Sequence, residues 1–181
     1  MKEILRLCFV LTVISAVSAG VLAFVDQKTQ EPIANALKAE EMAAVESVLP
    51  AFDNEPDRDT LTCADEICSY KFYRGRMKGE IVGAAFTVVA PNGYSGDIKV
   101  MVGVDTAGVV QGIVILDHRE TPGLGAKIET AEFRDQYKGK SLRDPETWDV
   151  VKDGGTFKQI TGAVTLFGKN HVIEIIANLT Q

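Results

Sequence analysis

The chain opens with an uninterrupted apolar stretch. Residues 7–25 contain no charged side chain, whereas Lys2 and Arg6 precede the stretch and Asp26 follows it. A helix that crosses a bilayer needs about 20 apolar residues, so the pattern predicts a single transmembrane anchor. A cleaved signal peptide is the alternative, because Val17-Ser18-Ala19 supplies small residues of the kind found at cleavage sites. The apolar run continues beyond these residues, which favours a retained anchor.

The charges that flank the anchor predict its orientation. Lys2 and Arg6 lie on its N-terminal side, and positive charge beside a membrane helix stays in the cytoplasm. Residues 1–6 are therefore expected in the cytoplasm. Everything after residue 25 is expected on the other side of the membrane.

A stalk is predicted between residues 26 and 60. Apolar side chains recur at helical spacing from Ile33 to Leu49, and Pro50 ends the pattern. Residues 53–59 are polar and charged, without apolar periodicity, as in a linker. The compact domain is expected to cover residues 61–181.

The pattern then changes to short β-rich runs separated by turn residues. The predicted strands cover residues 69–73, 80–90, 97–105 and 109–116. In the third of them, Ile98, Val100, Val102 and Val104 alternate with other residues and should share one face. Strands joined by short turns indicate an antiparallel sheet.

Helices are predicted mainly after the strands. Residues 126–137 carry apolar side chains at mixed helical spacing, and residues 170–179 predict a final helix with Asn170 as its N-cap. Residues 141–153 are polar and irregular. Strands followed by helices define an α+β domain, in which helices pack on an antiparallel sheet.

Charge and cysteine content narrow the possible functions. The formal net charge is −6 and the acidic residues are spread along the chain, which argues against nucleic acid as a partner. Cys8 lies within the anchor, whereas Cys63 and Cys68 are spaced for a disulfide in an oxidising compartment outside the cytoplasm. No metal site is predicted, because neither His118 nor His171 is near the cysteines in sequence.

A glycine-rich motif follows the last predicted strand, and it reads Glu120-Thr121-Pro122-Gly123-Leu124-Gly125. Pro122 fixes its own φ, while Gly123 and Gly125 allow positive φ and remove side chains that would block a ligand. Leu124 offers an apolar side chain to a planar ring. Considered alone, the motif is better explained as a connection between a strand and a helix, because Pro-Gly loops are common.

A second motif follows later and reads Thr161-Gly162-Ala163-Val164-Thr165. It places hydroxyl groups and a glycine beside small side chains. Successive backbone N–H groups in such a segment can form a nest that binds phosphate.

The two motifs, in this order, resemble the FMN-binding domain of two related membrane proteins. These are the G subunit of the Rnf electron-transport complex and the C subunit of the sodium-translocating NADH:quinone reductase. The short chain favours the Rnf type. The resemblance implies an electron carrier inside an ion-translocating complex, with FMN as cofactor and with other membrane subunits and a flavin transferase as partners. It implies contacts to the flavin ring from Glu120, Thr121, Gly123, Leu124 and Gly125, and a contact from Lys127 to the flavin or its phosphate.

The chain departs from the family pattern where FMN is attached. The resemblance places the hydroxyl that is esterified to the FMN phosphate at Val164, and an Asp at Lys158. The valine side chain has no oxygen, so three possibilities follow. FMN is bound noncovalently, or Thr165 serves as the acceptor, or the domain is a flavin-free structural subunit. A generic flavin-binding module is a further alternative.

Overall fold

The computed structural model describes residues 1–64, 69–91, 93–141, 148, 151 and 155–158. A long helix comes first, then five strands, then two short helical segments. The elements are α1 (Lys2–Val48), β1 (Thr60–Ala64), β2 (Ser69–Met77), β3 (Glu80–Ala90), β4 (Ile98–Asp105), β5 (Val110–Asp117), a 3-10 helix (Gly125–Glu129) and α2 (Ala131–Arg134).

Helix α1 merges two segments that the sequence predicted separately. The anchor and the helix that was expected from Ile33 to Leu49 form one helix, Lys2–Val48, with Pro32 inside it. Its most apolar window has a mean hydropathy of 2.4 and is long enough to cross a membrane. By its internal contacts the chain forms two units, Met1–Glu41 and Met42–Gln181. The domain boundaries at residues 6, 25 and 60 stay predictions.

The sheet is an antiparallel meander with the strand order β1-β2-β3-β4-β5. Its last four strands lie where the sequence predicted them, with ends shifted by a few residues. Strand β1 was missed, because its five residues, TLTCA, are too short for a clear alternation. The predicted antiparallel α+β class is confirmed.

Both faces of the sheet are covered. Ile98, Val100, Val102 and Val104 lie on one face in a single core cluster, as their alternation predicted. Met101 points to the opposite face, where it packs with residues of the last turns of α1, including Val45 and Val48. A Cβ at Gly103 would overlap the backbone of Val48, so glycine allows this close approach.

The helix expected over residues 126–137 is wrong in detail. The structure has the 3-10 helix Gly125–Glu129 and the short helix Ala131–Arg134, separated by Thr130 in an extended conformation. The Thr130 hydroxyl donates to the carbonyl of Lys127 at 2.7 Å, and its N–H donates to the same carbonyl at 3.0 Å. This local bonding competes with a continuous helix.

An aromatic cluster packs against the same sheet face as the β4 valines. The ring centroids of Tyr137 and Phe157 are 4.6 Å apart, and Phe133 and Trp148 complete the cluster. Burial raises the pKa of the Tyr137 hydroxyl well above its usual value.

Several predictions fall outside the described residues. These are the final helix at 170–179, the phosphate-binding motif at residues 161–165, and Cys68. The disulfide between Cys63 and Cys68 therefore stays a prediction.

Candidate functional site

The glycine-rich loop begins just after β5 and forms a tight turn. The carbonyl of Thr121 accepts hydrogen bonds from the N–H groups of Leu124 and Ala126, both at 3.2 Å. Gly123 lies in this turn with φ of +78°, a conformation that L side chains rarely adopt. Gly125 already belongs to the 3-10 helix, so its function differs from that of Gly123.

The tip of the loop is exposed. Thr121, Gly123 and Lys127 are exposed, and Leu124 keeps 49% of its surface accessible. A Cβ at Gly123 would meet no atom within 4 Å. Within the described part of the chain, the Gly123 N–H donates to no backbone carbonyl. The tip thus offers an apolar side chain next to an accessible backbone donor.

Glu120 behaves differently from the rest of the loop, because only 6% of its surface is accessible. Its Oε1 accepts a hydrogen bond from the backbone N–H of Ser95 at 3.1 Å. A Cβ at Gly93 would lie 2.9 Å from the same oxygen, and a Cβ at Gly125 would press against the carboxylate. Its side chain therefore joins two loops. The predicted contact between Glu120 and the flavin ring stays a prediction.

The loop that contains Ser95 was predicted from the sequence only as a turn. It lies between β3 and β4, and it brings Tyr94, which is 80% exposed, next to the residue that bonds Glu120. No local pattern could have revealed this contact, because Ser95 and Glu120 are separated by 25 positions. An exposed tyrosine on a loop packed beside the flavin motif is a further candidate for ligand contact.

His118 connects the start of the loop to its far side. Its Nδ1 accepts the backbone N–H of Glu120 at 3.0 Å, and its Nε2 lies 2.9 Å from Oε1 of Glu129. A nitrogen that accepts a hydrogen bond carries no proton, so these contacts assign the neutral tautomer with hydrogen on Nε2. No pattern in the sequence pointed to these two partners of His118.

The chain that leads into the second motif packs near α2. The N–H of Lys158 donates to Oε1 of Gln136 at 2.6 Å, and Lys140 Nζ donates to the hydroxyl of Thr156 at 2.7 Å. Phe157 is in the same core cluster as Ile128 of the 3-10 helix. The segment before Thr161 and the helix after the glycine-rich loop thus share one core.

These features fit a planar cofactor with an apolar ring and hydrogen-bonding edges. The loop tip combines Leu124 with an accessible backbone N–H at Gly123. The buried Glu120 side chain fixes the loop through its bond to Ser95. Ligand sites of this kind combine apolar contact area with a small number of placed polar groups.

Comparison with known proteins agrees with this geometry. Residues 93–168 match the FMN-binding domain family, and the match covers the Tyr94 loop, the glycine-rich loop and residues 161–165. Residues 93–168 thus belong to an FMN-binding domain, which supports FMN as the cofactor.

Relatives over most of the chain identify the family more closely. The G subunit of the ion-translocating oxidoreductase complex from Yersinia pestis is 33% identical over 173 residues, which cover 90% of this chain and 83% of the relative. The corresponding protein from Pseudomonas aeruginosa UCBPP-PA14 is 36% identical over 90% of this chain and 81% of its own length. That from Escherichia coli O157:H7 is 35% identical over 90% and 84%, respectively. The chain belongs to this family of G subunits.

Proposed function

We propose that this protein carries electrons through FMN as a subunit of an Rnf-type, ion-translocating oxidoreductase complex. The observation that carries the proposal is the loop of residues 120–125. Its buried Glu120 is bonded to Ser95, while Leu124 and Gly123 remain exposed at its tip. The names of the relatives, each a G subunit of an ion-translocating oxidoreductase complex, support the rest.

The protein supplies position and environment. When bound, FMN supplies the redox chemistry, because its ring accepts and releases electrons. Leu124 would cover part of the ring face, and the Gly123 N–H would donate to its edge. Because the loop tip is exposed, another carrier can approach it closely. The protein is therefore an electron carrier within a complex and not a catalyst by itself.

Residues 7–25 would anchor the protein in the bacterial inner membrane, with residues 26–181 on the periplasmic side. The length and composition of α1 and the positive charges at Lys2 and Arg6 support this topology. A C-terminal reporter that is active only in the cytoplasm should remain silent. Strong reporter activity would contradict the topology. The partners would be other membrane subunits of the complex.

FMN would be held mainly by noncovalent contacts. Val164 stands where the family resemblance places the esterified hydroxyl, so a flavin transferase would find no acceptor there. Thr165 is the alternative acceptor. The residues that would surround the phosphate are Thr161, Gly162, Ala163, Val164 and Thr165, with Lys127 as a further contact.

Reconstitution tests the proposal. The full chain, purified in detergent and stripped of ligand, is titrated with FMN while flavin fluorescence and visible absorption are recorded. Leu124→Asp should weaken binding about tenfold or more, because it places a charge against an apolar ring. Leu61→Asp is a matched control, since Leu61 is 46% exposed on β1. If the unsubstituted chain neither retains nor binds FMN, the flavin-free structural subunit is the correct alternative.

A further inference from the structure

We propose that His118 is the positioning residue of the FMN loop. It acts as a hydrogen-bond acceptor for the residue two positions ahead and as a donor to the helix beyond the loop. The functional part of this inference rests on the proposed FMN site, whereas the structural part does not.

His118 accepts a hydrogen bond from the backbone of Glu120. Asn and Asp side chains commonly accept the backbone N–H two residues further on, and thereby close an Asx turn. Nδ1 of His118 makes the same bond, to Glu120 N–H at 3.0 Å. It therefore orients the peptide that leads from β5 into the glycine-rich loop.

The other ring nitrogen of His118 contacts the helix beyond the loop. Nε2 donates to Oε1 of Glu129 at 2.9 Å, and Glu129 is the last residue of the 3-10 helix that follows the loop. The His118 side chain is 13% exposed, and that of Glu129 is 62% exposed. The imidazole thus connects the two ends of the loop, with its inner nitrogen on the backbone and its outer nitrogen on the carboxylate.

Glu120 is held at two points. Its N–H is bonded to His118 and its carboxylate to Ser95. Backbone and side chain are therefore held by different partners. The ligand-facing tip at residues 121–124 then meets FMN in an ordered conformation, which reduces the entropy lost on binding.

Both ring nitrogens of His118 take part in these bonds. This distinguishes His118, as a positioning residue, from an acid–base catalyst. An imidazole that acts as a base needs an accessible unprotonated nitrogen near the reacting group. The unprotonated nitrogen here accepts a main-chain N–H. His118 therefore acts through Glu120 and does not exchange protons with a ligand.

Three substitutions separate the two bonds. His118→Asn keeps an acceptor for the Glu120 N–H and loses the contact to Glu129. His118→Gln has the reach to contact Glu129 and loses the acceptor in the position of Nδ1. His118→Ala loses both contacts. If the bond to Glu120 positions the loop, FMN affinity should fall about tenfold in the Ala and Gln variants and be largely restored in the Asn variant.

Two measurements on the ligand-free full chain test the structure without FMN. Imidazole ¹⁵N shifts should identify an unprotonated Nδ1 and a protonated Nε2, and loss of signals in His118→Ala assigns them among the two histidines of the chain. The Glu120 amide should exchange faster with solvent in His118→Ala than in His118→Asn.

The outcomes separate two kinds of failure. A protonated Nδ1 in the free protein, or equal exchange of the Glu120 amide in the Ala and Asn variants, would overturn the inference. So would an Asn variant that binds FMN as weakly as the Ala variant. If the unsubstituted chain binds no FMN, the proposed function fails and the positioning of an FMN site fails with it. The NMR result then reports on the loop alone.

Discussion

The backbone N–H of Ser95 donates to Oε1 of Glu120 at 3.1 Å and joins two loops that are 25 positions apart in the chain. Glu120 is a member of the flavin motif, yet its carboxylate is buried and faces the protein. The acid thus stabilises the loop tip on which FMN is proposed to lie.

Replacement of Glu120 should cost stability and FMN affinity together. Glu120→Ala leaves the Ser95 N–H without its partner and opens a cavity, which should cost about 1–3 kcal/mol. Glu120→Gln keeps an oxygen for Ser95 and should cost less. Urea unfolding followed by circular dichroism measures the stability, and FMN titration measures the affinity. Glu132→Ala, at an exposed position in α2, is the control. Equal stability of Glu120→Ala and the control would contradict the arrangement.

The two loop glycines should respond differently to alanine. Gly125→Ala places a methyl group against the Glu120 carboxylate and should displace it. Gly123→Ala meets open space, but its φ of +78° costs about 1 kcal/mol of backbone strain. We expect the larger loss of FMN affinity in Gly125→Ala. A larger loss in Gly123→Ala would mean that the Glu120 contact is unimportant for binding.

Stability should fall in acid through Asp59. A hydrogen bond from Arg76 lowers the pKa of the Asp59 carboxyl, and the charges of Arg74 and Arg76 lower it further. The folded-state pKa thus lies below the unfolded value of about 3.9. The stabilisation is fully present above that value and is lost as pH falls through the folded-state pKa.

The difference in stability between the unsubstituted chain and Asp59→Asn should therefore shrink as pH falls from about 5 to about 2. Urea unfolding across this range measures it. Asp97→Asn, at an exposed position outside the strands, serves as control. A difference that does not change with pH would argue against the ion pairs as its source.

The unmodified chain should carry little or no covalent FMN, even beside an active flavin transferase. Val164 cannot form a phosphoester, whereas Val164→Thr should restore some attachment. Restoration should be incomplete because Lys158 also departs from the family pattern. In-gel flavin fluorescence after denaturation measures attachment. If the unmodified chain fluoresces and Thr165→Ala abolishes the signal, Thr165 is the acceptor and the prediction for Val164 is wrong.

Cys63 and Cys68 should be oxidised to a disulfide in the exported domain. Maleimide labelling without reductant should then leave both thiols unmodified, and labelling should appear after reduction. A Cys63→Ser/Cys68→Ser chain marks the background from Cys8. Labelling of both thiols in the folded protein before reduction would exclude the pair.

The sequence predicted those parts of the fold that depend on local patterns. The alternation of Ile98, Val100, Val102 and Val104 identified the buried face of β4, because strand periodicity is a property of neighbouring residues. The prediction of one helix over residues 126–137 was wrong because Thr130 bonds to the carbonyl of Lys127 and interrupts the helix. Propensity alone does not reveal such competition.

The candidate site was predicted as a motif but not as a contact network. The exposed loop tip follows from its Pro and Gly residues, and the flavin assignment followed from family resemblance. The bonds from Ser95 and His118 to Glu120 required the fold, since they depend on how separate loops meet. A single sequence does not show that a histidine will bond to the backbone of an acid two positions later.

The strand order affects which parts of this protein family can change during evolution. Each strand pairs with its neighbour in sequence, and the ladder is complete at Asp117. Contacts between sequence neighbours close early and at low entropic cost. The described ladder thus consists entirely of residues that precede the second motif. Substitutions at Val164 or Thr165 can alter how long FMN remains attached without changing any residue of that ladder.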